Sequence, residues 1–468
     1  MLFIYLLLTI SALSYTFAFM FLSVTWPLVF IFLIPISHLI VNKNLLSKIS
    51  FKEGFFWGTI AFSLQPIGTY YSVIKMAENY KIFALFMVIF LIIYQAFYSG
   101  LWIFTASKTI DLINLKDKNI SKILSLAIIT WIYFCFVQNY ILWPFGRLEG
   151  LFLSSPILPL AIQPKLIYML HYIKKELLLF FLISCSCLLS LIFTYKKILF
   201  KLTIFLLAFS PFIISSLIYS YNKKYISNYK KEWFNKISSI SKAYYNPGNN
   251  KKSAKEIAQE IKRLKEQNNL TQIILFPESA FFLCDLNQER SLIKYLDKDI
   301  HIIIGGIRKK NDKVYNTLYH IYGGKIENIF NKRHSMLLTE RGVFRELNIF
   351  SYIDKIVQKS YFQSRPIIKP SNKERMSFNI DRNLQLIPYI CSEVFFNNYP
   401  DDNFQDDSTI ISLCNDSWLE PCAKYIQNLM VLANKFKAIY WRRYIIYVDY
   451  SSSYIFDKFG NQHKLINI

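Results

Sequence analysis

Residues 271–280 read TQIILFPESA. Ile273, Ile274, Leu275 and Phe276 form a short apolar run rich in β-formers, Pro277 stops it, and Glu278 follows at once. The reading is a buried strand, Thr271–Phe276, with a carboxylate at its end. Two more strand-like runs end the same way, on a residue able to do chemistry. Lys325–Asn331 ends at Lys332, and Leu384–Ile390 ends at Cys391. Around them the pattern continues. His301–Ile307 carries Gly305–Gly306, and Tyr315–Tyr322 and Lys325–Asn331 flank Gly323–Gly324 as a β-hairpin would. Thr409–Cys414, Tyr444–Val448 and Ser453–Phe456 complete the set of strands. Ala254–Gln267 has Ile257, Ile261 and Leu264 on one helical face, and Ala423–Trp441 has Ile426, Leu429, Met430, Ala433 and Phe436 on one face. Strands mixed with helices and a hairpin predict an α/β domain over 256–468, with sheet packed against helices.

The three end residues suit chemistry on a carbonyl. A buried carboxylate such as Glu278 can act as a general base, although a helix-capping carboxylate would have the same sequence context. Lys332 can stabilise an oxyanion if its ammonium is fixed; a lone lysine is otherwise a solvated surface group. Cys391, beside a base and a cation, can be held as a nucleophilic thiolate, whereas alone it would read as a buried structural cysteine. Cys414 occupies a similar strand end, and the residues alone leave it open as a second candidate.

Working back toward the N-terminus, the chain changes character. About seven stretches reach or approach the roughly 20 apolar residues that a membrane helix needs. They are Leu2–Phe21, Thr25–Val41, Gly54–Ile74, Ile82–Ala106, Ile123–Trp143, Leu177–Tyr195 and Ile198–Tyr219. The first lacks a basic leader and runs into the second, so it reads as half of a helical hairpin, not a cleaved signal. Residues 1–220 are therefore expected to be a polytopic transmembrane domain. Residues 221–255, basic and without period, contain Pro247–Gly248–Asn249–Asn250 and read as a linker. Lysines crowd the loops after the second, fourth and sixth segments: Lys43, Lys48 and Lys52; Lys108, Lys116, Lys118 and Lys122; Lys196, Lys197 and Lys201. The positive-inside rule puts those loops and the N-terminus in the cytoplasm, and an odd number of crossings puts the α/β domain outside it. Pro144, Pro156, Pro159 and Pro164 break the apolar stretch Pro144–Tyr172, which predicts a re-entrant or interfacial segment that could wall a lipid-access path.

Composition narrows the partners. The net charge of +23 over 468 residues is scattered through loops and the C-terminal half, not gathered in one basic face, so nucleic acid is not expected as a partner. Seven cysteines give no disulfide framework, and neither they nor the six histidines show metal-ligand spacing. No metal and no cofactor are expected.

Taken in order, these segments resemble the nitrilase (carbon–nitrogen hydrolase) superfamily, whose triad runs Glu, Lys, Cys along the chain. The resemblance rests on Phe276–Pro277–Glu278–Ser279–Ala280, on Gly305–Gly306 with Tyr315–Asn316–Thr317, and on Lys332–Arg333–His334 with Glu340 eight residues after the lysine. It continues through Cys391–Ser392–Glu393 and Asn415–Asp416–Ser417–Trp418. With apolar segments ahead of the domain, the chain resembles the apolipoprotein N-acyltransferases of that superfamily. The resemblance implies an α-β-β-α sandwich with Glu278 as base, Lys332 as oxyanion stabiliser and Cys391 as nucleophile. It also implies Glu340 as a second active-site carboxylate and Glu393 lining the pocket beside the thiol. The implied reaction moves an acyl chain from a phospholipid, through a Cys thioester, to the N-terminal amine of a diacylglyceryl-cysteine lipoprotein. The implied location is a bacterial inner membrane with the catalytic domain on the periplasmic side.

The sequence departs from that family at Leu337–Leu338–Thr339, at Ser392 and at Asp449–Tyr450–Ser451, where the family has Pro-Phe-Gly, Tyr and an Asn-x-Gly motif. Residues 458–468 form a polar tail where the family has a further membrane helix. A second reading is therefore a membrane-bound nitrilase-like accessory protein of conjugal transfer, acting on another amide or ester. A third is a binding protein with a vestigial site.

Overall fold

The computed structural model describes residues 1–42, 45, 49–65, 67–76, 81–112, 119–135, 154–226, 232–240, 254–278, 281–283, 293–294, 296–310, 313–334, 371, 376–381, 384–395, 408–416 and 424–467. These fall into two compact units. One comprises Met1–Tyr225 and Pro421–Phe436; the other comprises Ile226–Glu420 and Lys437–Ile468.

The first unit is helical. Among the described residues, 5 helices are long and apolar enough to cross a membrane: Leu2–Met20, Leu22–Val41, Ala84–Leu112, Lys175–Phe193 and Ile198–Lys224. The expected segment Gly54–Ile74 is divided between the helices Phe51–Leu64 and Ile67–Met76, and Ile123–Trp143 begins in the helix Asn119–Ile132. Where apolar surface is as welcome in lipid as in protein, close backbone approach and polar contacts hold helices together. Both occur here. A Cβ on Gly54 would lie 2.6 Å from the Ser99 carbonyl oxygen, and one on Gly58 would lie 2.6 Å from the Ser99 side chain. Phe51–Leu64 thus touches Lys81–Leu112 almost backbone to backbone. Trp57 Nε1 donates to Ser11 Oγ at 2.9 Å, and Ser11 Oγ donates to the Phe32 carbonyl at 2.6 Å.

The proline-broken stretch is described from residue 154 onward. It forms short turns of helix, Leu158–Ile162, Pro164–Ile167 and Tyr168–His171, most of whose apolar side chains are buried. The irregular backbone finds partners: Ser215 Oγ donates to the Lys165 carbonyl at 2.8 Å and accepts the Met169 N–H at 3.1 Å. Within Ile198–Ile226, Pro211 cannot bond the Leu207 carbonyl, and Ser210 Oγ donates to that carbonyl at 2.8 Å instead.

The second unit is built on two sheets. Its strands are β1 (Ile237–Ser239), β2 (Ile273–Leu275), β3 (Phe281–Leu283), β4 (His301–Lys310), β5 (Lys313–Tyr322), β6 (Lys325–Asn331), β7 (Phe378–Asn379), β8 (Gln385–Ile390), β9 (Thr409–Leu413), β10 (Ile445–Val448), β11 (Ser453–Phe456), β12 (Gln462–Lys464) and β13 (Ile466–Asn467). The first sheet runs β13-β1-β2-β4-β5-β6 with β3 also on β4, and the second runs β12-β11-β10-β9-β8-β7. In the first sheet β13, β1, β2 and β4 run parallel, with β3 parallel on β4, and β5 and β6 add antiparallel hairpin strands; in the second, the parallel centre β8-β9-β10 is flanked by antiparallel β7 and β11. On one face of the first sheet, Ile274, Ile302, Ile304, Tyr319 and Ile321 close against Ile261 and Leu264 of the helix Ala254–Gln267. Its other face meets the second sheet, where His320 of β5 stacks on Phe378 of β7. Beyond the second sheet, Trp441 at the end of the helix Lys424–Trp441 packs on Tyr389 of β8. The layering is helix, sheet, sheet, helix, the α-β-β-α order expected. The Gly323–Gly324 turn between β5 and β6 has φ of 62° and 75°, the left-handed pair a tight hairpin needs.

The unit boundaries differ from the expected 220 and 255. The helix Ile198–Ile226 runs past 220, and β1 arises inside the stretch read as a linker. Three residues of strand leave no periodicity to read. Residues 458–468, read as a polar tail, supply β12 and β13, which pair with β11 and β1.

Between the sheets, Asn328 Nδ2 lies 3.3 Å from His320 Nδ1, and His320 Nε2 lies 3.0 Å from His301 Nδ1. An amide nitrogen can only donate, so the His320 proton sits on Nε2 and points at His301. Burial pushes His320 down to about 4, and burial also lowers His301. Because the folded state resists protonation, stability is fully present above the ordinary histidine value of 6.5 and is lost as pH falls toward about 4. The full chain in detergent should lose about 2 to 3 kcal/mol of stability over that window through His320. A His320→Gln variant should show a flatter dependence of melting temperature on pH; equal slopes would refute the assignment.

Candidate active site

The chemically able residues lie just past strand ends. Lys332 follows β6 directly, Cys391 follows β8, Cys414 and Asn415 follow β9, and Glu278 lies three residues beyond β2. Chain leaving the carboxyl ends of parallel strands is free to turn side chains and backbone amides into a shared space, which is why ligand sites gather there.

Glu278 is the hub. Its Oε1 accepts Asn316 Nδ2 at 2.6 Å and Lys332 Nζ at 3.4 Å, and its Oε2 accepts the backbone N–H of Asn415 at 3.1 Å. Its own N–H donates to the Cys414 carbonyl at 3.2 Å, which ties the end of β2 in one sheet to the end of β9 in the other. Asn316, on β5, accepts the Lys332 N–H on its carbonyl at 2.7 Å. The Lys332 and Glu278 side chains are only 1% and 7% exposed. Removing one partner of such a buried pair strands the other charge, at a cost of about 3–5 kcal/mol.

Cys391 sits at a bend. Its φ of 51° lies in the left-handed region, where a side chain crowds its own backbone, and the chain turns there from β8 into the short 3-10 helix Cys391–Phe395. Glu393 braces the bend. One oxygen accepts the Ile390 N–H at 2.8 Å; the other accepts the N–H groups of Arg333 at 2.8 Å and His334 at 3.3 Å. A single buried carboxylate therefore fixes both the turn that carries the cysteine and the residues after the lysine. Glu393, expected from the resemblance to line the pocket beside the thiol, accepts these backbone N–H groups.

The Cys391 and Cys414 sulfurs are hydrogen-bond neighbours, and Cys414 also feels Glu278 and Asp449. Burial first, then these neighbours, pushes the Cys414 thiol well above its ordinary value. A thiol held protonated is a poor nucleophile. Cys414 is fully buried, while Cys391 keeps 7% exposure.

Four of the five expected residues, Glu278, Lys332, Cys391 and Glu393, thus lie in one connected network; Glu340 falls outside the described residues. The roles of Asn316 and the Asn415 amide emerge only from the geometry, although both residues lie in stretches whose spacing carried the family resemblance. Among the described residues no group of three or more His, Cys, Asp or Glu side chains could hold a metal ion.

No family model matches the chain. It is similar to an apolipoprotein N-acyltransferase of Wigglesworthia glossinidia brevipalpis, with 25% identity over 418 residues, covering 84% of this chain and 76% of the relative. Among solved structures, a carbon-nitrogen hydrolase from Helicobacter pylori G27 aligns over 48% of this chain and 82% of its own, with 12% identity and a TM-score of 0.32. A CN-hydrolase superfamily protein from Xanthomonas campestris aligns over 49% and 86%, with 13% identity and a TM-score of 0.31. A glutamine-dependent NAD+ synthetase from Acinetobacter baumannii aligns over 49% of this chain but only 43% of its own length, with 17% identity and a TM-score of 0.34.

Replacing Glu393 by Gln should turn an amide NH2 toward backbone donors. The expected loss is about 1–3 kcal/mol of stability for the unmatched group, read as a lower melting temperature of the full chain in detergent. An unchanged melting temperature would show that the brace is not needed.

Proposed function

We propose that this chain is an N-acyltransferase that takes an acyl chain from a phospholipid and delivers it to the N-terminal amine of a diacylglyceryl-cysteine lipoprotein. The observation that carries the reading is the buried Glu278–Lys332 pair in one network with Cys391, in a chain whose other unit has helices long enough to enter a bilayer. The similarity to an apolipoprotein N-acyltransferase over most of the chain supports it.

Glu278 takes the proton of the Cys391 thiol, and the sulfur attacks the ester carbonyl carbon of the phospholipid. The Lys332 ammonium stabilises the oxyanion that forms. As the tetrahedral species collapses, the C–O bond to the glycerol oxygen breaks, and that oxygen leaves with the proton from Glu278 as a lysophospholipid. The acyl group remains on sulfur as a thioester, so one hard transfer becomes two easier ones. The α-amine of the lipoprotein then attacks the thioester carbonyl, a C–N bond forms, the C–S bond breaks, and the Cys391 thiol is restored by the proton the amine releases through Glu278. Keeping both lipids in hydrocarbon avoids exposing acyl chains, at roughly 0.8 kcal/mol for each methylene lifted into water.

Purified wild-type protein given a phospholipid with a labelled acyl chain should form a hydroxylamine-sensitive adduct, and Cys391→Ala should form none. Label retained on the Cys391→Ala protein would refute the nucleophile. Label that forms on Cys391 but never reaches the amine of a diacylglyceryl lipopeptide would favour another acceptor, as in the conjugal-transfer reading.

The lysine-rich even loops support a cytoplasmic N-terminus and an α/β unit on the periplasmic side of a bacterial inner membrane. An epitope joined after Ile468 should be cut by protease added to intact spheroplasts. Protection of that epitope until the membrane is broken would reverse the orientation.

A further inference from the structure

The reading above leaves unused a set of buried polar groups beside the site. Asp449 follows β10 directly, next to the end of β9: the Cys414 N–H donates to the Val448 carbonyl at 2.8 Å. Asp449 and Asp416 are both fully buried. Asp449 Oδ1 accepts the N–H groups of Ser451 at 2.9 Å and Ser452 at 2.6 Å, while the Tyr447 hydroxyl donates to its Oδ2. The Ser451 hydroxyl has one proton and two acceptors in reach, Asp416 Oδ2 at 2.7 Å and Asp449 Oδ1 at 3.2 Å. The shorter contact wins, so Asp449 holds Ser451 by its backbone and Ser451 holds Asp416 by its side chain. Asp416 is joined by one peptide bond to Asn415, whose N–H donates to Glu278 Oε2.

We propose that Ser451 and Asp449 are positioning residues for the acyl-transfer reaction: through Asp416 they aim the Asn415 amide at Glu278 and so fix the carboxylate that moves the thiol proton. The proposal rests on the assignment of Glu278 as that base. It gives a role to the stretch Asp449–Tyr450–Ser451, where the sequence departs from the Asn-x-Gly pattern of the family it resembles.

Lys332 faces Glu278 from the end of β6 and Asn316 from β5. Cys414 and Asn415 face it from the end of β9, with Asp416 and Asp449 one step further out. Burial pushes Asp449 above its ordinary value.

Ser451 is exposed at the surface, so truncating it removes the hydroxyl without opening the core. In full-length protein with a labelled phospholipid, Ser451→Ala should slow thioester formation on Cys391 roughly tenfold, with the donor concentration dependence unchanged. Glu278 would lose a donor to its ionised form, so the acid limb of the pH–rate profile should move up by about half a unit. Ser451→Thr keeps the hydroxyl and should restore both rate and profile. Ser452→Ala, whose hydroxyl reaches Asp449 only at 3.3 Å, should match wild type. A Ser451→Ala protein with wild-type rate and acid limb overturns the proposal. If Glu278→Gln is inactive while Ser451→Ala is normal, only the positioning role falls. If Glu278→Gln forms the thioester at the wild-type rate, the base assignment falls and takes this proposal with it.

Discussion

The site in the α/β unit depends on a carboxylate and an ammonium held together away from water. Glu278 and Lys332 come from different strand ends, and neither would be tolerated there alone. The pair survives burial because the carboxylate has other partners. Glu278 takes three donors, one each from Asn316, Lys332 and Asn415. Each donor is itself held by the sheets, so the carboxylate reports the positions of β5, β6 and β9 at once. The same contacts that make the burial bearable also set the geometry, and weakening one loosens both.

The two sheets meet at this point. The Glu278 N–H bonded to the Cys414 carbonyl is a backbone link between the end of β2 and the end of β9. Glu393 does the same for the end of β8 and the residues after β6. A thiol at a left-handed bend, a lysine and a carboxylate are thus fixed by main-chain hydrogen bonds as much as by side-chain contacts. Such a frame is stiff, because main-chain atoms have no rotamers to change.

The helical unit answers a different solvent. Its contacts are small residues that let backbones approach, such as Gly54 and Gly58 against Ser99, and hydroxyls that satisfy irregular backbone, such as Ser215 on the turns between 164 and 171. These devices are cheap in lipid, where burying more apolar surface gains little. In the other unit, apolar burial between sheet and helix carries the fold.

Much of this was legible in the chain itself. Long strands and amphipathic helices announce themselves by period: β5 and β6 around Gly323–Gly324, β8, β9, β11 and the helices from 254 and 424 fall where the pattern of side chains put them. The strand-end positions of Glu278, Lys332 and Cys391 were equally visible, because an apolar run that stops at a polar residue needs no partner to be seen. Tertiary structure alone decided the rest. β1 and β13 are too short to carry a period; β1 exists because it pairs with β2, and β13 because it pairs with β1 at the sheet edge. Which of Cys391 and Cys414 is the more exposed depends on the packed sheets and not on neighbours along the chain. So does the link from Ser451 to Glu278, which joins residues more than 170 positions apart through contacts that no local pattern encodes.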